Sequence, residues 1–209
     1  MRIEARGISF GYKKSQAVLS GVSLQIEPGE LVGLIGPSGC GKSTLSKILA
    51  GYIQPWSGQV LLGGAPLPKK GVCPVQLIYQ HPEKAVNPRW KLRETLTEAW
   101  EPDAQLLEEA GISAQWLERY PTELSGGELQ RLCIVRALAT GVQFIIADEI
   151  STMLDPVTQA QVWAFLLGAL RKRGIGLLAV THNLELAGRV CDRVERFANL
   201  FAQPETPCL

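Results

Sequence analysis

Residues Gly36-Pro37-Ser38-Gly39-Cys40-Gly41-Lys42-Ser43-Thr44 fit the spacing G-x-x-x-x-G-K-[ST]. The types and their order specify phosphate chemistry. Glycines let a backbone bend so tightly that several N–H groups can face one anion. A helix opening directly after such a loop adds the partial positive charge of its N-terminus. Lys42 could reach β- and γ-phosphates, and the Ser43 hydroxyl could bind Mg²⁺. A dinucleotide fingerprint is disfavoured, because G-x-G-x-x-G does not occur.

A second chemical group lies at Asp148-Glu149, which end the apolar run Phe144-Ile145-Ile146-Ala147. Ligands of open α/β sheets sit at the carboxyl ends of strands. There Asp148 is placed to hold Mg²⁺, mostly through the ion's water shell. Glu149, one residue on, could orient and deprotonate an attacking water. The third group is Leu124-Ser125-Gly126-Gly127-Glu128. Ser125 and Glu128 have capping-box spacing, so they read as a helix start. Gly126 and Gly127 strip side chains from its first turn and expose N–H groups, which makes a second anion site.

These groups need elements to carry them. Leu31–Ile35 reads as a buried strand before the loop, and Leu45–Ala50 as a helix after it, with Gly51 as its stop. The first thirty residues alternate apolar and polar and predict antiparallel strands turning at Pro28-Gly29. Residues 58–64 read as a hairpin and Val75–Tyr79 as a strand ending at Gln80. From about residue 83 helical periodicity takes over, in Leu92, Thr95, Leu96 and Ala99, then Leu106, Leu107 and Ala110, punctuated by Pro88, Pro102 and Pro121. The helix opened at Ser125 is expected over Leu129–Thr140. Strand 144–147, a helix over 156–173, the strand Gly176–Val180 and a helix over 184–194 complete the expected order. The pattern predicts one α/β domain over 1–209, with a core lobe of 1–82 and 139–209 and an inserted helical lobe of 83–138.

Bulk properties narrow the classes. The 209 residues can bury a proper core, and 46% hydrophobic with 20% charged is ordinary globular composition. A formal net charge of +1 argues against a general nucleic-acid-binding surface. The basic clusters Lys13-Lys14, Lys69-Lys70 and Arg171-Lys172-Arg173 read as solvated loops or helix ends. No apolar run approaches a bilayer span, and Met1-Arg2-Ile3-Glu4 has no signal-peptide core, so a cytoplasmic location is expected. Cys40, Cys73, Cys133, Cys191 and Cys208 contain no C-x-x-C pair and are odd in number, which points to reduced thiols.

Together with Gln80 and His182, the phosphate loop, Asp148-Glu149 and Leu124-Ser125-Gly126-Gly127-Glu128 resemble the ATPase subunit of an ATP-binding-cassette transporter, in order and in spacing, over nearly the whole chain. The resemblance implies a P-loop NTPase fold with a RecA-like core, an antiparallel β subdomain and an inserted helical subdomain. It implies ATP and Mg²⁺, and a head-to-tail dimer in which ATP lies between one chain's loop and the other's Ser125–Glu128. Tyr12 then corresponds to an aromatic residue that stacks on adenine. Gln80 corresponds to a glutamine that touches Mg²⁺ and the attacking water, and His182 to a histidine that hydrogen-bonds the γ-phosphate. Asp155, in Ser151-Thr152-Met153-Leu154-Asp155, matches a loop crossing the dimer interface. The implied partners are transmembrane permease subunits, a second ATPase subunit and, indirectly, a solute-binding protein. The location implied is the inner face of the cell membrane.

Gln80-His81-Pro82, Val86-Asn87-Pro88-Arg89 and the run from Leu124 to Arg131 are similar to importers of oligopeptides, dipeptides or nickel. Ile150 departs from the proline that often follows the catalytic glutamate, and many relatives of this type continue with a longer C-terminal segment. Three other readings compete. A regulatory cassette would usually lack the glutamate or the histidine, and Glu149 and His182 are both present. A cassette ATPase of translation or DNA repair would usually carry two cassettes or a coiled-coil insertion. A small-molecule kinase leaves Leu124–Glu128 without a role.

Overall fold

Two strand patterns build two different sheets. Strands β1 (Ile3–Phe10) and β2 (Leu19–Ile26) pair antiparallel, and in β2 buried residues alternate with exposed ones, as a sheet with one covered face requires. Strand β3 (Leu31–Ile35) is apolar, with four of its five residues buried, and feeds through the phosphate loop into helix α1 (Lys42–Leu49). Strands β4 (Ser57–Leu62) and β5 (Ala65–Pro66) form the expected hairpin and complete a four-stranded sheet in the order β2-β1-β4-β5. Strand β6 (Val75–Ile78) opens the second sheet.

Between β6 and the next strand the chain is helical in short pieces: α2 (Leu92–Leu96), α3 (Ala104–Glu109) and α4 (Gly126–Ala137), with single 3₁₀ turns at Pro82–Lys84, Ala114–Glu118 and Pro121–Glu123. Prolines open two of these turns, where the missing N–H costs nothing. Strand β7 (Phe144–Asp148), helix α5 (Pro156–Arg173), strand β8 (Gly176–Thr181), helix α6 (Leu184–Val190) and strand β9 (Arg193–Arg196) follow. The second sheet is parallel throughout, in the order β6-β7-β8-β3-β9. The structure is a computed structural model and describes residues 1–201. The tail beyond, with Cys208, lies outside the described residues.

The parallel sheet divides the core into two layers. Ile145, Ala147, Leu177 and Ala179 join α4 and α5 on one face. Phe144, Ile146, Leu178 and Val180 join α1 and the antiparallel sheet on the other. Period-two alternation within β7 and β8 thus feeds both layers, which is why these strands are buried along their whole length. Each Leu, Ile or Val so buried contributes about 1.5–3 kcal/mol before entropy is set against it.

Three expectations shift. The helix expected over 184–194 ends at Val190, and Arg193–Arg196 is a strand. Asp192 breaks the helix: its N–H donates to Leu31 O at 2.7 Å and its Oδ2 accepts the Leu31 N–H at 2.8 Å. Arg193 then pairs with Glu30 at 2.6 Å, and β9 registers on β3. These partners are about 160 residues upstream, beyond the reach of local periodicity. Helix α4 starts at Gly126 and not at Leu129, because Ser125 caps it. Tyr79 lies just past the end of β6. Cys40, Cys73, Cys133 and Cys191 are free thiols, and among the described residues no helix is long and apolar enough to cross a membrane.

Candidate functional site

The carboxyl ends of β6, β7, β8 and β3, neighbours in one sheet, carry Gln80, Asp148-Glu149, His182 and the phosphate loop respectively. Sheet order brings together groups that the chain separates by up to about 140 residues, at the edge where parallel sheets bind ligands. A cleft of about 430 Å³ opens there, lined by Tyr12, Val18, Ser38, Gly39, Gly41, Lys42, Ser43, Thr44, Gln80 and Glu149. A larger cleft of about 550 Å³, between the end of α1 and the β4–β5 hairpin, contains none of the expected site residues.

The loop is shaped to receive an anion. Gly41 precedes α1 at φ 115°, which side chains rarely adopt, and no side chain caps the helix. The first-turn N–H groups are therefore left for a ligand. Lys42 is buried, and its ammonium donates to the carbonyls of Gly36 and Pro37, each at 2.8 Å. Pro37, Ser38 and Gly39 are exposed, and Cys40 is half-buried. Ser43 and Thr44 stand at the helix start, and Thr44 Oγ1 lies 3.2 Å from the Tyr12 hydroxyl. The Tyr12 ring is exposed at the mouth of the cleft, held edge-on to Phe10 with centroids 5.2 Å apart.

Asp148 is 7% exposed, and its Oδ1 has no hydrogen-bond partner among the described residues. Burial pushes its pKa above the ordinary carboxylate range, and the neighbouring Glu149 charge adds to this, while the Ser43 hydroxyl pulls the other way. An orphaned, desolvated carboxylate beside a hydroxyl is a poor arrangement for the protein alone and a good one for a hard cation with oxygen ligands. Ser43, Asp148 and the Gln80 amide fit Mg²⁺ by donor type. No group of three or more His, Cys, Asp or Glu that could hold a metal ion occurs among the described residues, so a cation here would rest on mixed hydroxyl, amide and carboxylate donors.

Glu149 has φ 51° and, among the described residues, is the one non-glycine with positive φ. Such backbone persists only where the surroundings over-determine it. Here the Glu149 N–H donates to Val180 O at 2.9 Å, and its carbonyl accepts from Thr152 N at 3.3 Å and Thr152 Oγ1 at 3.1 Å. Ser151 Oγ accepts from Gln159 Nε2 and Trp163 Nε1, each at 2.9 Å, so α5 anchors the turn. The Glu149 side chain lies between two clefts, the nucleotide-sized one and a second that holds His182. His182 Nδ1 is 3.5 Å from Glu149 Oε1. Thr152 also accepts from Gln80 Nε2 at 3.1 Å. Its part in linking Gln80 to Glu149 had no signal in the sequence, because it arises from two loops meeting. Ile150, the departure from the usual proline, is buried in the helical-side core.

Two expected groups stand apart from the cleft. Ser125, Gly126, Gly127 and Glu128 open α4 outside it, and Gly127 packs so close that a methyl there would lie 2.5 Å from Thr158 Cγ2. Gly126 faces open space. Asp155 caps α5, accepting from Val157 N at 3.0 Å and Thr158 N at 3.1 Å, and the Thr158 hydroxyl, with these backbone bonds, holds its carboxyl below the usual pKa range.

Residues 19–152 match the family model described as "ABC transporter". The chain is similar to the nickel import ATP-binding protein NikE of Escherichia coli O6:K15:H31 (strain 536 / UPEC), with 37% identity over 91% of this chain and 78% of that protein. It is 38% identical to the methionine import ATP-binding protein MetN of Caulobacter vibrioides over 84% of this chain and 58% of that one. Among solved structures, an ATP-binding subunit of an ABC transporter aligns with TM-score 0.79 and 28% identity over 94% of this chain and 85% of that chain. The ATP-binding cassette MJ0796, solved as a dimer bound to ADP and Pi, shares the fold at TM-score 0.78 and 24% identity, covering 93% of each chain. With the family model spanning most of the chain and the site elements in family order, this protein belongs to the ABC transporter family and is an ATPase cassette of that family.

Proposed function

We propose that this cassette hydrolyses ATP to power solute import through partner transmembrane subunits, at the inner face of the cell membrane. The observation that carries the reading is the convergence of Lys42, Gln80, Asp148, Glu149 and His182 at one sheet edge. Import is supported by the relatives, whose names specify nickel and methionine import. The solute proposed is a nickel complex or a peptide.

The roles follow from chemistry. The loop N–H groups and the Lys42 ammonium hold the phosphates, and the Tyr12 ring stacks on adenine. Ser43, Gln80 and Asp148 would hold Mg²⁺, which when bound neutralises charge on the phosphate oxygens. Glu149 accepts the proton of the attacking water, and His182 hydrogen-bonds the γ-phosphate. Catalysis is then mostly positioning and charge stabilisation. Ser125–Glu128 of a second copy, or of a sibling subunit, covers the nucleotide, with Asp155 at the join. Residues 83–138 form the lobe that meets the membrane subunit, and 1–82 with 139–209 form the catalytic lobe.

The test is Glu149→Gln in the assembled complex. ATP binding is expected to stay intact while turnover falls by about 10²–10⁴-fold, the usual contribution of a positioned base. Turnover at the unaltered rate would remove Glu149 from the chemistry. Uptake of radioactive nickel by vesicles holding the complex, present with wild-type and absent with the variant, checks the solute.

A further inference from the structure

Strand β9, which local sequence did not announce, delivers one aromatic ring to the underside of the phosphate loop. In the β3–β9 register Ile35 pairs with Arg196, so the next residues along each strand, Gly36 and Phe197, lie side by side. Phe197 is 2% exposed. A methyl added at Gly36 would sit 3.0 Å from Phe197 Cβ, and one added at Gly41 would sit 3.2 Å from Phe197 Cζ. The ring therefore runs beneath the loop from its first glycine to the glycine before Lys42. Val18 and Leu19 close the Gly41 end, at 3.2 and 3.0 Å from the same added methyl. Phe201 meets the Phe197 ring edge-on, with centroids 5.4 Å apart.

The loop is thus held by two kinds of contact. The Lys42 ammonium bonds the Gly36 and Pro37 carbonyls. The Phe197 side chain fills the space that the glycines leave. Two of the three ammonium donors are spent on these carbonyls and Cys40 Sγ lies 4.0 Å away, which leaves one donor for a phosphate. The Phe197 packing involves none of those donors. Packed interiors transmit displacements of even one methylene, so a gap under the loop moves its N–H groups.

We propose that Phe197 is a positioning residue for nucleotide binding: its ring fixes the shape of the phosphate loop from beneath and acts on affinity for ATP, not on the chemical step. The inference rests on the reading that residues 36–44 hold ATP phosphates. The experiment measures ATP·Mg²⁺ affinity of the full chain by calorimetry, with kcat and KM of the assembled complex, for wild-type, Phe197→Ala, Phe197→Leu and Leu200→Ala. Leu200 is buried in the same 3₁₀ turn but is not among the nearest contacts of Gly36 or Gly41, so its variant is a control for stability alone. The expected result is a graded rise in Kd and KM, about threefold for Leu and about tenfold for Ala, at unchanged kcat. Leu200→Ala lowers Tm with Kd unchanged. Equal affinity in wild-type and Phe197→Ala overturns the proposal, as does an equal loss in Leu200→Ala. If Phe197→Ala does not fold, an unchanged Kd in Phe197→Leu overturns it alone. Lys42→Ala separates the two readings: if it binds ATP as wild-type does, the loop assignment itself fails; if it does not bind and the Phe197 variants bind with wild-type affinity, only the role of Phe197 fails.

Discussion

The chain has two glycine-rich helix starts, and they are finished differently. At α1 the N-cap is Gly41 in a left-handed conformation, with no side-chain cap and no acidic residue in the first turn. At α4 the N-cap is Ser125 in extended backbone, and Glu128 turns back on it, accepting the Ser125 N–H at 2.7 Å. That bond holds the Glu128 carboxyl below the usual pKa range. The first helix leaves its N–H groups without a side-chain cap, beside the cleft lined by Lys42, Ser43 and Thr44. The second satisfies part of its own need and presents the rest, at Gly126, to open space. One start leaves its first turn uncapped inside a cleft, and the other caps itself and turns a bare glycine outward, as the proposed sharing of nucleotide between two cassettes requires. Ser125 Oγ accepts from Glu128 N at 3.4 Å, a long bond that leaves its O–H free to donate.

Four substitutions break or sharpen this contrast. Gly126→Asp is expected to have the largest effect. The added side chain meets nothing within its own chain, so folding and ATP affinity should hold within about twofold, while hydrolysis by the assembled complex falls about a hundredfold, as when a preorganised donor is lost. Unchanged hydrolysis would make α4 an ordinary surface helix. Lys42→Ala should weaken ATP binding by about thirtyfold or more, the cost of removing one partner from a buried charge pair, measured by calorimetry.

Asp148→Asn separates stability from function. It removes a desolvated charge, so Tm at pH 7 should rise by about 2–4 °C for each ~1 kcal/mol relieved, while ATP hydrolysis is lost. The pH dependence has a fixed sign. The folded-state pKa of Asp148 is raised, so its contribution to stability is fully present below the ordinary carboxylate range and is lost as pH rises through the raised value. Calorimetric melts across that window should show the slope in wild-type and its loss in the variant. The smallest effect is expected from Ser125→Ala, which removes a long cap bond and costs about 0.5 kcal/mol of stability. A normal Tm with reduced hydrolysis would show that the hydroxyl serves the partner's nucleotide.

Legibility followed the range of the interactions. The phosphate loop, β7 with its terminal carboxylates, and α5 over 156–173 were readable because each is a local pattern, although the caps of α5, Asp155 and Gly174, are seen only in the structure. The capping box of α4 was readable at Ser125 and Glu128, although the helix register after it was placed three residues late. β9 was not readable, since Arg193-Val194-Glu195-Arg196 is a strand only because β3 lies beside it and Glu30 meets Arg193. The left-handed backbone of Glu149 was equally hidden, as it depends on Val180, Thr152 and the α5 side chains that hold its turn.

Residue type and spacing alone determined the kind of chemistry: a phosphate cradle, a carboxylate pair at a strand end and a second helix start bare of side chains. Only the tertiary structure decided which of these groups share a cleft, which helix start stays outside it, and what lies under the loop. The reason is that backbone donors and short-range caps are encoded within a few residues, whereas strand order, burial of Asp148 and the floor formed by Phe197 exist only once distant segments pack.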